Sequence, residues 1–302
     1  SFTVQITATY SKPINDYNIP KDSWILWDLE DIKLCKNIIK EGNIDRLVLK
    51  HGNDIDKIIK KYSMNNIIEE YSKYPELWLL TDEIKADIVT EIINNTQDNN
   101  YGWSPDACFL LKQGIKTNTD TKQNKLITND EFQNETENLK LWYRIFGKYN
   151  KFGIPDKDFP DNSVFMKRIE KICKDPTIDS RFIGEGDFHN KPMIIMAYLP
   201  VYTDRGKGNL SKISNATINL LLKHNVIPNY DIITINDDGK GKTDIENARI
   251  SAHTSGKKGV LVLSGTKCGL GVSIDNCDIV LLLNNNMGFD MIYQMMFRCM
   301  TE

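Results

Sequence analysis

Gln294 and Arg298 stand four positions apart near the end of the 302-residue sequence, so on a helix they share one face. Arginine offers a planar fork of donors that matches phosphoryl oxygens, and glutamine supplies an amide that can orient a polar ligand. A second constellation lies upstream, where Ser264, Gly265, Thr266 and Lys267 are followed by Gly269, Gly271 and Ser273. Glycine allows close approach of the main chain to an anion, hydroxyls donate to it, and a lysine neutralises it. A tight strand-to-helix turn accounts for Ser264 and the glycines equally well when they are taken alone. The third group, Thr7, Ala8 and Thr9, ends a short alternating stretch that contains Phe2, Val4 and Ile6. A strand followed by a hydroxyl turn and Pro13 is the plainer reading of that group.

These residues need elements to hold them. The apolar run at 258–264, the glycine-punctuated loop, the apolar run at 278–283 and the Gln294 and Arg298 segment read as strand, loop, strand and helix. Further upstream, 191–200 reads as a buried strand and 209–224 as a helix with Ile213, Ala216, Thr217, Leu220 and Leu221 inward. A strand at 230–235 and a helix at 244–252 complete the alternation. Such an order belongs to a parallel α/β sheet, and the domain that contains it begins near Asp187.

Gly241, Lys242 and Thr243 occupy the context of a phosphate-binding loop, after a strand and before a helix. The pattern fails, because its first glycine would fall on Asn236 and because Asp237 and Asp238 would repel a triphosphate. The stretch is expected to be a polar loop capped into a helix by Thr243 or Asp244.

Composition sets wider bounds. With 40% apolar and 26% charged residues the chain is globular, long enough for one large domain or two ordinary ones. A formal net charge of −3 gives no global basic footprint, so any nucleic acid must be held by a local patch of the 38 Lys and Arg. Six cysteines, at 35, 108, 173, 268, 277 and 299, lack zinc spacing and read as reduced thiols of an intracellular protein. No stretch of the sequence approaches the roughly 18 apolar residues of a membrane span, so no membrane partner is expected. The first residues lack the pattern of a secretory signal.

The long middle of the chain reads as mostly helical. A short strand at 23–27 leads into an acidic turn at Asp28, Glu30 and Asp31. An amphipathic helix follows at 54–62, with Ile55, Ile58, Ile59 and Tyr62 on its apolar face. Helical periodicity recurs at 64–74 and 81–93, whereas 113–138 is polar and aperiodic and is expected to be a mobile loop. Trp142, Tyr143, Ile145 and Phe146 restart a helix, and 163–173 forms another.

In order and spacing, the final segments resemble motifs V and VI of superfamily 2 helicases, and Thr7-Ala8-Thr9 resembles motif III. The ending around Gln294 and Arg298, with Ser273 in motif V, is similar to the helicases of giant and other nucleocytoplasmic large DNA viruses related to poxvirus transcription-factor helicases. The resemblance implies an α/β fold: a RecA-like parallel-sheet helicase C-terminal domain with a large mostly helical insertion. Residues 1–13 would end a first RecA-like domain, 14–186 would be the insertion, and 187–302 the second RecA-like domain.

It further implies an ATP-dependent helicase or translocase acting on single-stranded DNA or RNA. ATP and Mg²⁺ would lie between the two RecA-like domains, with the metal ligands in an N-terminal half that precedes Ser1. Arg298 would be the arginine finger and Gln294 would position the nucleotide. Gly269, Gly271 and Ser273 would line the nucleotide side, while Thr7, Thr9, Ser264, Thr266 and Lys267 would contact nucleic acid. Phe297 and Thr301 stand where relatives carry a glycine and a second arginine. This departure supports an alternative, a catalytically inactive helicase-fold module for binding or interaction. A viral source implies the host cytoplasm or the virion, with partners in transcription, replication or defence. By itself the 302-residue chain is expected not to hydrolyse ATP.

Overall fold

The computed structural model describes residues 27–72, 108–117, 124–148, 192–200, 209–235, 241–265, 277–284 and 289–296, with Asp16 and Pro20. Contacts divide the chain into one unit of Ser1–Leu77 with Met300–Glu302 and another of Trp78–Cys299.

The first unit is helical: α1 (Leu29–Lys36), α2 (Ile38–Glu41), α3 (Ile44–His51), α4 (Asp54–Tyr62) and α5 (Met64–Ser72). Asp28 starts α1 by accepting the main-chain N–H groups of Glu30 at 2.9 Å and Asp31 at 3.3 Å. Asp31 reciprocates by accepting the Asp28 N–H at 2.8 Å. The acidic cluster expected to form a turn is therefore a helix N-terminus, because this reciprocal capping satisfies donors that a helix start leaves open. Leu34, Cys35, Ile38, Leu47, Ile55 and Ile59 form the core. The expected apolar face of α4 is only half used: Ile55 and Ile59 are buried, while Ile58 and Tyr62 are 47% and 54% exposed. A nine-residue helix packed along one i, i+4 row has a narrower contact stripe than its apolar sequence face.

The first described strands of the second unit form a hairpin, in which β1 (Leu111–Thr117) pairs antiparallel with β2 (Asn124–Phe132). A mobile loop at 113–138 is thus corrected to two strands and the beginning of α6 (Glu135–Phe146). The ladder is a main-chain structure, and its base is fixed by buried Leu111 and Phe132 and by the Lys112–Glu131 ion pair at 2.9 Å. Polar composition hides this arrangement, because the anchoring residues lie at the ends of the stretch.

The main sheet comprises β3 (Met193–Tyr198), β4 (Tyr230–Ile235), β5 (Gly259–Ser264) and β6 (Ile279–Leu282). Its four strands are parallel in the order β4-β5-β3-β6. Central β3 and β5 are apolar almost throughout because helices cover both sheet faces. On one face, α7 (Asn209–Lys223) packs Ile213, Ala216, Leu220 and Leu221 against Ile195, Ala197, Leu261 and Leu263. On the other, α8 (Gly241–Thr254) packs Ile245 and Ala252 against Ile194, Met196, Val260 and Val262. The inward residues expected for α7 are all buried.

Helix ends are closed by the chain reversals that the sequence permits. Asn225 after α7 and Gly256 after α8 have φ of 51° and 66°. Val226 and Lys257 then donate back to Leu221 and Ala252 at 3.0 and 2.8 Å, satisfying carbonyls of the last turn. Gly241, Lys242 and Thr243 form the first turn of α8 rather than a preceding loop.

The aromatic side chains of Phe109, Phe132, Trp142 and Phe146 share one core with Ile195, Ile213 and Leu261 of the parallel-sheet layer. The hairpin and α6 therefore belong to the packing of the sheet domain, and the described core runs across the division read at residue 187. Sequence periodicity shows that Trp142 and Phe146 are apolar, but not which element they cover.

Candidate functional site

The elements of the main sheet converge at the carboxyl ends of β3 and β5. These strands are neighbours, yet the chain leaves β3 for β4 on one side and leaves β5 for β6 on the other. In a parallel α/β sheet the usual ligand position is beside two neighbouring strands whose connections run in opposite directions. Leu199 N–H donates to Ser264 O at 2.8 Å and Leu283 N–H donates to Tyr198 O at 3.1 Å, which aligns the three strand ends.

Ser264 ends β5 at this edge and is fully buried. Its hydroxyl donates to the Gly265 carbonyl at 3.2 Å. Thr266, Lys267, Gly269, Gly271 and Ser273 follow in sequence and lie outside the described residues, as do Thr7, Thr9 and Arg298. Gln294 is on α9 (Phe289–Met296) and is half-buried. Its neighbour Met295 is fully buried beside Cys277 and the partly buried Val280, Leu282 and Met291, which seats α9 on the face that carries α8. Of the ten residues picked from the sequence, Ser264 and Gln294 are thus described, and no hydrogen bond joins them.

Asp278 belongs to no sequence motif and holds a more telling position. Its N–H donates to Ile194 O at 3.0 Å, and its Oδ2 accepts the Ile194 N–H at 2.7 Å. Crowding of the carboxyl against β3 raises its pKa to about 6, opposed by the Ile194 N–H, the Arg249 charge and its own N–H. The residue as a whole keeps an exposed edge. Arg249 of α8 is held by Glu246 at 2.7 Å. The available sequence signal was a single acid directly before an uninterrupted apolar run, Ile279 to Leu283.

The helical unit carries its own polar cluster. Asp31 is completely buried and accepts from His51 Nε2 at 2.6 Å, Lys50 Nζ at 3.0 Å and the Asp28 N–H at 2.8 Å. Burial pushes its pKa up, but the bonds from His51, Asp28 and Lys50 outweigh this and hold it below the ordinary aspartate value. Trp27 stacks on the His51 ring with centroids 5.4 Å apart. Every oxygen of this carboxylate is occupied, as in a structural junction between the start of α1 and the end of α3.

Among the described residues no cluster of His, Cys, Asp and Glu could hold a metal ion. Nor is any helix among them long and apolar enough to cross a membrane. Cys35, Cys108 and Cys277 are buried and form no disulfide among the described residues.

The second unit is an α/β domain with a four-stranded parallel sheet and helices, compatible with a RecA-like fold. Compared with known proteins, the chain matches no family model, no curated protein and no solved structure.

Proposed function

We propose that this chain is part of an ATP-dependent superfamily 2 nucleic-acid helicase or translocase, to which it contributes the arginine finger and part of the single-strand surface. One observation carries the reading. The segment resembling motif V follows the carboxyl end of β5, beside β3, where a parallel sheet opens its ligand crevice. The segment resembling motif VI begins on α9, which is seated on the same sheet through Met295.

In this reading Arg298 neutralises charge on the transferring γ-phosphoryl group, and Gln294 orients the nucleotide. The hydroxyls and Lys267 of the β5 loop grip the nucleic-acid backbone, which fixes position without reading sequence. When bound, Mg²⁺ would neutralise the triphosphate, and its ligands are assigned to the N-terminal half. Phe297 and Thr301, which replace the glycine and second arginine of relatives, favour the competing reading of an inactive helicase-fold module.

ATP turnover by a longer chain that includes the first RecA-like domain, measured with and without single-stranded DNA and RNA, separates the two. The motor reading expects stimulation by nucleic acid and a loss of about a thousandfold in Arg298→Ala. No turnover by a folded protein with an intact phosphate loop would leave the inactive module as the better account.

A further inference from the structure

The strand that leads to α9 is the least secured of the sheet. β6 has four residues where β3, β4 and β5 have six each. Among the described residues it lies at an edge and pairs with β3 alone. Its sequence specifies register poorly, because Ile279, Val280, Leu281, Leu282 and Leu283 are apolar at every position. A slip of one residue would exchange the two faces, yet it would replace one set of aliphatic side chains by another of similar size. Packing alone therefore discriminates weakly between registers.

A polar contact supplies the missing discrimination. Asp278 bonds Ile194 twice, through its N–H to the carbonyl at 3.0 Å and through Oδ2 from the N–H at 2.7 Å. Side chain and main chain together extend the ladder by one rung ahead of the first pair, Ile195 with Ile279. If the strand slipped by one position, Cys277 or Ile279 would face Ile194, and neither offers a comparable acceptor to its N–H. Register also decides what α9 meets, since Val280 and Leu282 share a core with Met291 and Met295.

We propose that Asp278 is a positioning residue that sets the register of β6 and, through it, the seat of α9 with Gln294. The role of the seat in catalysis rests on the helicase reading, whereas the register function does not. The requirement is an acceptor at this position, not a charge.

Amide hydrogen exchange tests this directly. Asp278→Ala should lose protection at 279–284 and 289–296 by several-fold, about the effect of one part-buried hydrogen bond on local opening, while β4 and β5 keep theirs. Asp278→Asn, which retains an acceptor oxygen, should protect these residues at least as well as wild type does. Unchanged protection in Asp278→Ala, or equal loosening in both variants, overturns the proposal. Should the alanine variant not fold, Asp278→Ser supplies a shorter acceptor. Partial loss confined to 279–296 then supports the assignment, and uniform loss through β3, β4 and β5 refutes it. Absence of ATP turnover in the longer chain that includes the first RecA-like domain would sink the motor reading and leave this exchange result standing.

Discussion

Gly259 begins the central strand β5, opposite Met193 of β3 and Tyr230 of β4. A Cβ built there would lie 2.5 Å from the Met193 carbonyl oxygen and 2.5 and 2.8 Å from two ring carbons of Tyr230. The ring has little room to withdraw, because it packs against Phe146 with centroids 6.3 Å apart. The carbonyl moves only if β3 moves. Overpacking of this kind costs about 3 kcal/mol, the upper end for an inserted methyl group in a dense core. Replacing glycine also narrows the unfolded ensemble, which returns about 0.5 to 1 kcal/mol. Gly259→Ala is therefore expected to destabilise the domain by about 2 kcal/mol net, a drop of about 4 to 8 °C in Tm for a unit of this size. Urea unfolding at unchanged m-value checks the magnitude. In a Tyr230→Leu background the alanine should cost about 1 kcal/mol less, since the ring is gone and the main-chain clash remains. A Gly259→Ala protein within about 0.5 kcal/mol of wild type would refute the argument from close strand packing.

Two pH dependences follow from the carboxylates. Asp31 has a folded pKa below its unfolded value, so its contribution is present above the ordinary aspartate pKa of about 3.9 and is lost as pH falls through the folded value. Acid unfolding of the helical unit, followed by far-UV circular dichroism, should flatten in Asp31→Asn, and an unchanged acid limb would contradict the assignment. Asp278 has the opposite sign: with a folded pKa of about 6, its contribution is present below about pH 4 and is lost as pH rises through about 6. Asp278→Asn should therefore gain stability relative to wild type above that range; the shift alone corresponds to nearly 3 kcal/mol, reduced to about 1 kcal/mol by solvent at the exposed edge. Equal pH profiles for the two proteins from pH 4 to 7 would count against a crowded carboxyl.

The sheet was legible because burial on both faces leaves its strands with uninterrupted apolar runs, as in 193–198 and 259–264. The helix at 209–223 was legible for a different reason, its 3.6-residue period ending at an asparagine that tolerates positive φ. What escaped the sequence was organised by main-chain hydrogen bonds rather than side-chain pattern. The β1 and β2 ladder pairs residues of polar character, and α1 starts on a reciprocal cap between Asp28 and Asp31 that reads equally as an acidic turn. Ile58 and Tyr62 were misread because periodicity reports a face, whereas packing decides how much of it is covered. For the site, the order of the segments was legible and Ser264 and Gln294 can be located. Asp278 was not, because its importance comes from an Ile194 main-chain group 84 positions earlier in the chain.

That long-range dependence bears on how the domain holds its candidate site. On the α7 face, the aromatic residues of α6 and the hairpin fill the same core as β3 and β5, and polar ties add direction to the packing. Asn215 of α7 donates to Asp130 at 3.2 Å, and Lys223 donates to Glu135 at 2.7 Å. These exposed ties are individually weak, so the large buried side chains, above all Trp142 and Phe109, carry the attachment. On the α8 face, among the described residues, α9 is held through Met295 and Met291 against a short edge strand. Side chains without branching at Cβ adapt easily to shifted partners, so methionine contacts alone would allow α9 more than one seat. The directional constraint must then come from the strand beneath them. The polar bond at Asp278 ties down the short edge strand that meets α9 on the α8 face, and there a single acceptor bears on the seat of Gln294.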